Sequence, residues 1–315
     1  MSFHAFYSDT FVLPLPSDHR FPMPKYWRLR ERVLEEGIMP EENIHVALPA
    51  TDEQLLRAHD AEYIEKVRLG LLSVQEQRRI GFPWTPALAV RARCTVGATI
   101  MACRSALDMA SRTGFGVAVN LAGGTHHACR DHGQGYCVFN DSAVAARAMQ
   151  AEGRARRVVI IDCDVHQGNG TAAIFQGDSS VFTFSIHGAK NFPFRKEKSD
   201  LDIELPDNTT DADYLAAVEE GTRRAIAMSG ADLALYLAGA DPYERDRLGR
   251  MKVTMEGLAE RDRIVLGLCR EAGLPVSIAM AGGYAPDVED IVAIHLQTIR
   301  TAAAFALESE RGIVP

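Results

Sequence analysis

Val158-Val159-Ile160-Ile161 is an unbroken run of β-branched residues that stops abruptly in Asp162-Cys163-Asp164-Val165-His166. A strand with one wet face alternates apolar and polar side chains, so a continuous run suits a strand covered on both faces, as in a parallel sheet. The residues that end it make a second demand. Side chains along an extended chain alternate with period two, so Asp162, Asp164 and His166 leave the strand on one side if extended geometry persists that far. Carboxylates at a buried strand end are costly unless a cation or a strong hydrogen-bond donor satisfies them. The spacing therefore points to metal ligation. The competing explanation is that Asp164 and Asn169 cap a helix beginning near Thr171.

Four other apolar segments end in the same way. Residues 115–121 run into Gly123-Gly124-Thr125-His126-His127, and residues 233–240 into Asp241. Residues 275–281 run into Gly282-Gly283-Tyr284, and residues 181–186 into His187. In an open parallel α/β sheet, ligands bind beyond the carboxyl ends of the strands, so these five endings predict one shared site.

Helical patterns fall between the strands, over 89–109, 141–152, 211–228, 250–272 and 287–309. Asp141 or Ser142 is the expected N-cap of the second, and Gly230 and Gly273 act as stop signals. The alternation predicts an α/β fold, a mainly parallel sheet with helices on both faces. The first 80 residues are less regular, and Pro14, Pro16, Pro22 and Pro24 crowd the start. That segment is expected to wrap the domain or line the mouth of the site, where Phe82 and Trp84 either shape the rim or fill the core.

With 315 residues, 47% of them hydrophobic, the chain can bury a large core. No linker or repeat divides it and the site segments spread from 123 to 284, so a single domain over 1–315 is expected. Six cysteines without a C-x-x-C pair, no signal peptide and no long apolar span fit a reducing cytoplasm and no membrane. A formal charge of −8 argues against duplex nucleic acid as a partner and disfavours cationic substrates less. Arg154 to Arg157 and Arg195 to Lys198 read as solvated charge runs. Nothing in the pattern specifies an oligomeric state.

Asp164, His166 and Asp241 would leave a divalent ion open to water and a substrate oxygen, which is the arrangement of a catalytic site. Oxygen and nitrogen donors without sulfur suit zinc and admit ferrous iron.

Taken together, L-A-G-G-T-H-H-A (121–128), G-Y-C-V-F-N-D (135–141), D-C-D-V-H-Q-G-N-G (162–170), S-I-H (185–187), D-P-Y-E-R-D-R-L-G (241–249) and G-G-Y (282–284) resemble the zinc-dependent histone deacetylase family. Weaker likeness in 19–26 and 58–63 is most similar to the class IV deacetylases and their bacterial relatives. The resemblance implies the arginase/deacetylase fold, with one zinc ion per chain on Asp164, His166 and Asp241. It makes His126 and His127 the tandem histidines of the centre and Tyr284 the catalytic tyrosine. Asp162 would receive the Nδ1 proton of His126 and, with Ser185, touch a structural potassium ion. Gly135, Tyr136 and Phe192 would line the acyl tunnel, and Leu248 its rim. Some members place an aspartate behind the second histidine, where this chain has Asn169. A neutral amide orients His127 but stabilises its imidazolium less, which leaves His127 as general base then acid and His126 as a source of positive charge.

The implied activity is metal-dependent hydrolysis of a linear amide, removing an acetyl or longer acyl group from the ε-amino group of lysine. Substrates would be an acyl-lysine peptide or a small acylated amine, with an acetylpolyamine amidohydrolase as the alternative. An arginase-like binuclear hydrolase needs an acidic residue two positions after Asp241, where Tyr243 stands. A non-catalytic acyl-lysine binder has no use for the tandem histidines, open metal and tyrosine together.

Overall fold

Eight strands form one sheet in the computed structural model, which describes residues 3–9, 13, 15 and 19–312. They are β1 (Ala5–Tyr7), β2 (Ile44–Val46), β3 (Val117–Asn120), β4 (Val158–Asp162), β5 (Val181–Gly188), β6 (Leu201–Leu205), β7 (Leu233–Leu237) and β8 (Val276–Ala279). Their order is β2-β1-β3-β8-β7-β4-β5-β6, and every neighbouring pair is parallel. Val159 and Ile161 enter one apolar core while Val158 and Ile160 enter the other; Ala234 and Tyr236 against Leu233 and Leu235 repeat the division on β7. Two covered faces explain the uninterrupted apolar runs. Sheet and flanking helices make a single α/β domain.

Connectivity assembles the site. The chain lays down β3 and then β4 apart from each other, and the late strands β7 and β8 fill the gap between them. The loops after four adjacent strands, β3, β8, β7 and β4, therefore meet above the middle of the sheet.

Expected helices are present as Pro86–Thr113, Asp141–Ala151, Asp211–Ser229, Met255–Glu271 and Val288–Arg311. Several details differ. The cap of the second is Asn140, whose side chain accepts from Ala143 N at 2.9 Å, because Asp141 is committed elsewhere. The helix expected from 250 starts at Met255, where Thr254 caps it; Met251 and Val253 are apolar loop residues buried in the core. Strand β7 stops at Leu237, and β5 continues through His187, which lies within the strand and not after it. The irregular start contains β1, β2 and the helices Lys25–Glu35, Asp52–Leu55, Ala61–Leu69 and Val74–Ile80. Three-residue strands are too short to show a period, whereas the five residues of β6 alternate apolar and acidic side chains, a strand pattern that the sequence expectations omitted. Pro14 and Pro16 lie outside the described residues. Among those residues no helix is long and apolar enough to cross a membrane.

One buried ion pair ties the site to its support. Arg261, fully buried, pairs with Asp262 at 2.9 Å and donates to the carbonyl of Gly239, two residues before Asp241. Asp262 also accepts from Tyr236 Oη and Thr298 Oγ1. Arg261→Met leaves that carboxylate buried without its cation, so a stability loss of about 3–5 kcal/mol is expected from urea unfolding; a wild-type midpoint would show the pair to be dispensable.

Candidate active site

The loop after β3 carries the two histidines. Gly123 and Gly124 adopt φ of 79° and 73°, and a Cβ on Gly124 would lie 2.4 Å from that of Ala281 in the loop after β8. Asp141 holds this turn, accepting from Gly124 N (3.0 Å), Thr125 N (2.7 Å), Thr125 Oγ1 (2.7 Å) and Thr99 Oγ1 (2.6 Å). His126 Nδ1 lies 2.7 Å from Asp162 Oδ2, and His127 Nδ1 lies 2.7 Å from Asn169 Oδ1. An amide oxygen only accepts, so His127 Nδ1 carries the proton and Nε2 keeps its lone pair. The two Nε2 atoms are 3.2 Å apart.

Beyond β4 the extended geometry ends, and the chain bends from Asp164 to His166. The side chains converge by that bend: Asp164 Oδ1 accepts from the backbone N–H of His166 and meets its ring Nδ1, both at 2.9 Å. Asp241 Oδ2 is 3.1 Å from the same nitrogen. The capping explanation fails, because helix Asn169–Phe175 has Gly168 at its N-cap and no side-chain cap.

Asp164, His166 and Asp241 are buried and place ligand atoms within 4.8 Å of one another. Burial and the neighbouring Asp164 carboxylate push the Asp241 carboxyl up to about 7. Burial opposes charge on His166, yet Asp164 and Asp241 raise it to about 10. Two carboxylates thus favour positive charge on the His166 ring that both of them face, which is the electrostatics of a site built for a cation. Gly282 leaves the space open, since a Cβ there would sit 1.9 Å from Asp241 Oδ2. The donor set fits a divalent ion. Among the described residues no second such group exists, and Tyr243 turns its hydroxyl to Asp290 at 3.4 Å.

Three further groups face this centre. Burial opposes a charged His126, but Asp162 and Asp164 raise its pKa to about 9. His127 is held well below the ordinary imidazole value by burial and by His126 and His166. Burial and then Asp164 and Asp241 keep the Tyr284 phenol protonated far above its usual range. Nearby titratable groups pushed in opposite directions are the mark of assigned acid and base roles.

A cleft of about 480 Å³ leads down to His127, His166 and Tyr284 between Gly135, Tyr136, Phe192 and Leu248. A Cβ on Gly135 would come within 2.6 Å of the His127 ring, so only glycine leaves the passage clear. Tyr136 is held at φ 66°, an uncommon conformation for an aromatic residue, with its N–H on Ile80 O at 2.7 Å. Phe82 backs it at 5.3 Å between ring centroids, whereas Trp84 packs on Gly70 as core. Ser185 pairs in register with Asp162 across β4 and β5, its hydroxyl 3.0 Å from His187 Nδ1.

The sequence pattern of the histone deacetylase domain matches residues 19–299. The chain belongs to the histone deacetylase family. It is 41% identical over 302 residues to an uncharacterized protein of Picosynechococcus sp., covering 96% of this chain and 99% of that one. It is 27% identical over 290 residues to histone deacetylase 2 of Arabidopsis thaliana, covering 89% and 73%. A crystal structure of a histone deacetylase homologue from Aquifex aeolicus is similar in fold, with TM-score 0.78 at 20% identity over 99% of this chain and 89% of that one. As a deacetylase-family member, the chain is a hydrolase acting on amide bonds.

Several supports of this deacetylase-family site escaped the sequence reading. Lys25, buried, donates to the carbonyls of Ala281 (3.3 Å) and Gly283 (3.4 Å), bracing the loop that carries Tyr284. Asp246 accepts from Tyr284 N at 2.6 Å and from Leu248 N and Gly249 N. Asn191 Nδ2 donates to Leu248 O at 2.7 Å. Lys196, read as part of a solvated run, donates to the carbonyls of Asn191 and Pro193 on either side of Phe192. The contacts of Lys25, of Asn191 with Leu248 and of Asp246 with Tyr284 join residues tens to hundreds of positions apart and leave no local signal; those of Lys196, and of Asp246 with Leu248 and Gly249, are local and were within reach.

Proposed function

We propose that this protein is a zinc-dependent lysine deacylase, removing an acetyl or longer acyl group from the ε-amino group of lysine. The observation that carries the reading is the meeting of His127 and Tyr284 in one aromatic-lined cleft with the buried group Asp164, His166 and Asp241. Those three residues would hold the ion, zinc or ferrous iron, which when bound polarises the amide carbonyl and acidifies water. Asp162 and Ser185 offer oxygens to a structural potassium ion. The short N-terminal motifs favour a class IV-like member, and six unpaired thiols, five of them buried, favour a reducing cytoplasm.

His127 takes the proton of the attacking water through Nε2 while Asn169 fixes its ring. Tyr284 donates to the oxyanion that develops at the amide carbonyl, and His126, kept cationic by Asp162, adds positive charge beside it. His127 then returns its proton to the leaving amine. Gly135, Tyr136 and Phe192 align the acyl-bearing alkyl stem and exclude water.

Turnover of an acetyl-lysine peptide, abolished by chelation, tests the reading. Tyr284→Phe removes one oxyanion donor and is expected to lower kcat by about 10²–10³ with an unchanged circular dichroism spectrum. Wild-type turnover in that variant would refute the tyrosine's role.

A further inference from the structure

We infer that the preferred substrate is an acyl-lysine flanked by acidic residues, an inference that rests on the lysine deacylase reading. Although the chain carries a formal charge of −8, the cleft above the centre is bordered by Arg78, Arg79, Lys190, Arg247 and Arg250 and by no aspartate or glutamate. Asp207 pairs with Arg250 at 2.6 Å and stands 3.8 Å from Lys190. Arg78, Arg79 and Arg247 are exposed and make no ion pair among the described residues. Phe194, 91% exposed, stands with them as an apolar contact for a bound chain. Past Arg79 the surface changes sign, with Glu62, Glu76 and Asp131 around a neighbouring groove, so the basic border is confined to the mouth of the cleft.

Only the acylated side chain enters the aromatic passage, which leaves the residues on either side of it at this border. Unpaired guanidiniums there attract carboxylates on the incoming peptide and repel ammonium groups. A polyamine, which carries positive charge along its stem, meets the same repulsion. Net charge therefore misleads about the substrate, because the sign at the mouth is opposite to that of the whole chain.

Three acetyl-lysine peptides that differ only in acidic, neutral or basic flanking residues test this with the metal-loaded full chain. At low salt kcat/KM is expected to be at least about tenfold higher for the acidic than for the basic peptide, carried in KM, and the ratio to shrink at about 0.5 M salt. Arg78→Glu with Arg247→Glu is expected to invert the order. Arg156→Glu, at the opposite end of the sheet, is expected to leave it intact. Equal turnover of the three peptides, a preference for the basic one, or an order that survives the double substitution overturns the inference alone. Absence of turnover with all three overturns the lysine reading and this inference with it.

Discussion

Asp241→Asn is expected to strip the protein of its divalent ion and to lower kcat/KM at least about a thousandfold, because the several kcal/mol supplied by a metal to transition-state charge are lost together. The substitution is nearly isosteric. Asn keeps an oxygen for the Val165 N–H, which Asp241 Oδ1 accepts at 2.8 Å, so that buried donor keeps its acceptor. It removes one of two carboxylates that repel each other across the centre, so the metal-free fold loses no favourable charge pair except that with His166. Metal analysis after dialysis separates the possibilities. About one ion per wild-type chain and nearly none in the variant support the three-ligand site. Two ions per chain would indicate a binuclear centre, and an undiminished metal content in the variant would remove Asp241 from the ligand set.

His127→Ala is expected to lower kcat by about 10²–10⁴ with little change in KM, since proton transfer is felt in the transition state and not in substrate binding. The pH dependence has a definite sign. The base works when neutral, so activity falls as pH drops through its pKa. Burial, His126 and His166 depress that pKa, so the acid limb of kcat/KM due to His127 is expected below the ordinary imidazole range. Asn169→Asp sets a carboxylate where Oδ1 now stands 2.7 Å from His127 Nδ1, stabilises the imidazolium and moves the limb to higher pH. A limb that stays in place in the Asn169→Asp variant, or a His127→Ala enzyme with wild-type kcat, would assign the base elsewhere.

The site was more legible than its scaffold. Asp162, Asp164 and His166 lie within five residues of one another, and the tandem histidines and Gly282-Gly283-Tyr284 are similarly compact, so each cluster announced itself at the end of an apolar run. β1 and β2 did not, because three residues carry no period, and Asp141 was misplaced because an aspartate at a helix start has an obvious local use as a cap. Its carboxylate instead holds a turn sixteen residues back. Lys25 was unreadable for a plainer reason: its partners, the carbonyls of Ala281 and Gly283, are more than 250 positions away.

Local chemistry along the chain was enough to specify a parallel α/β sheet and the identities of the residues at its carboxyl ends, since β-branched runs and closely spaced polar groups act over a few residues. Tertiary structure alone decided how the ligands meet, through a bend at Asp164 and not through strand alternation. It also decided the charge at the mouth of the cleft, where segments near residues 78, 190 and 247 are brought side by side. Electrostatic potential at a cleft depends on which charges are near in space, and that is information a summed net charge does not contain.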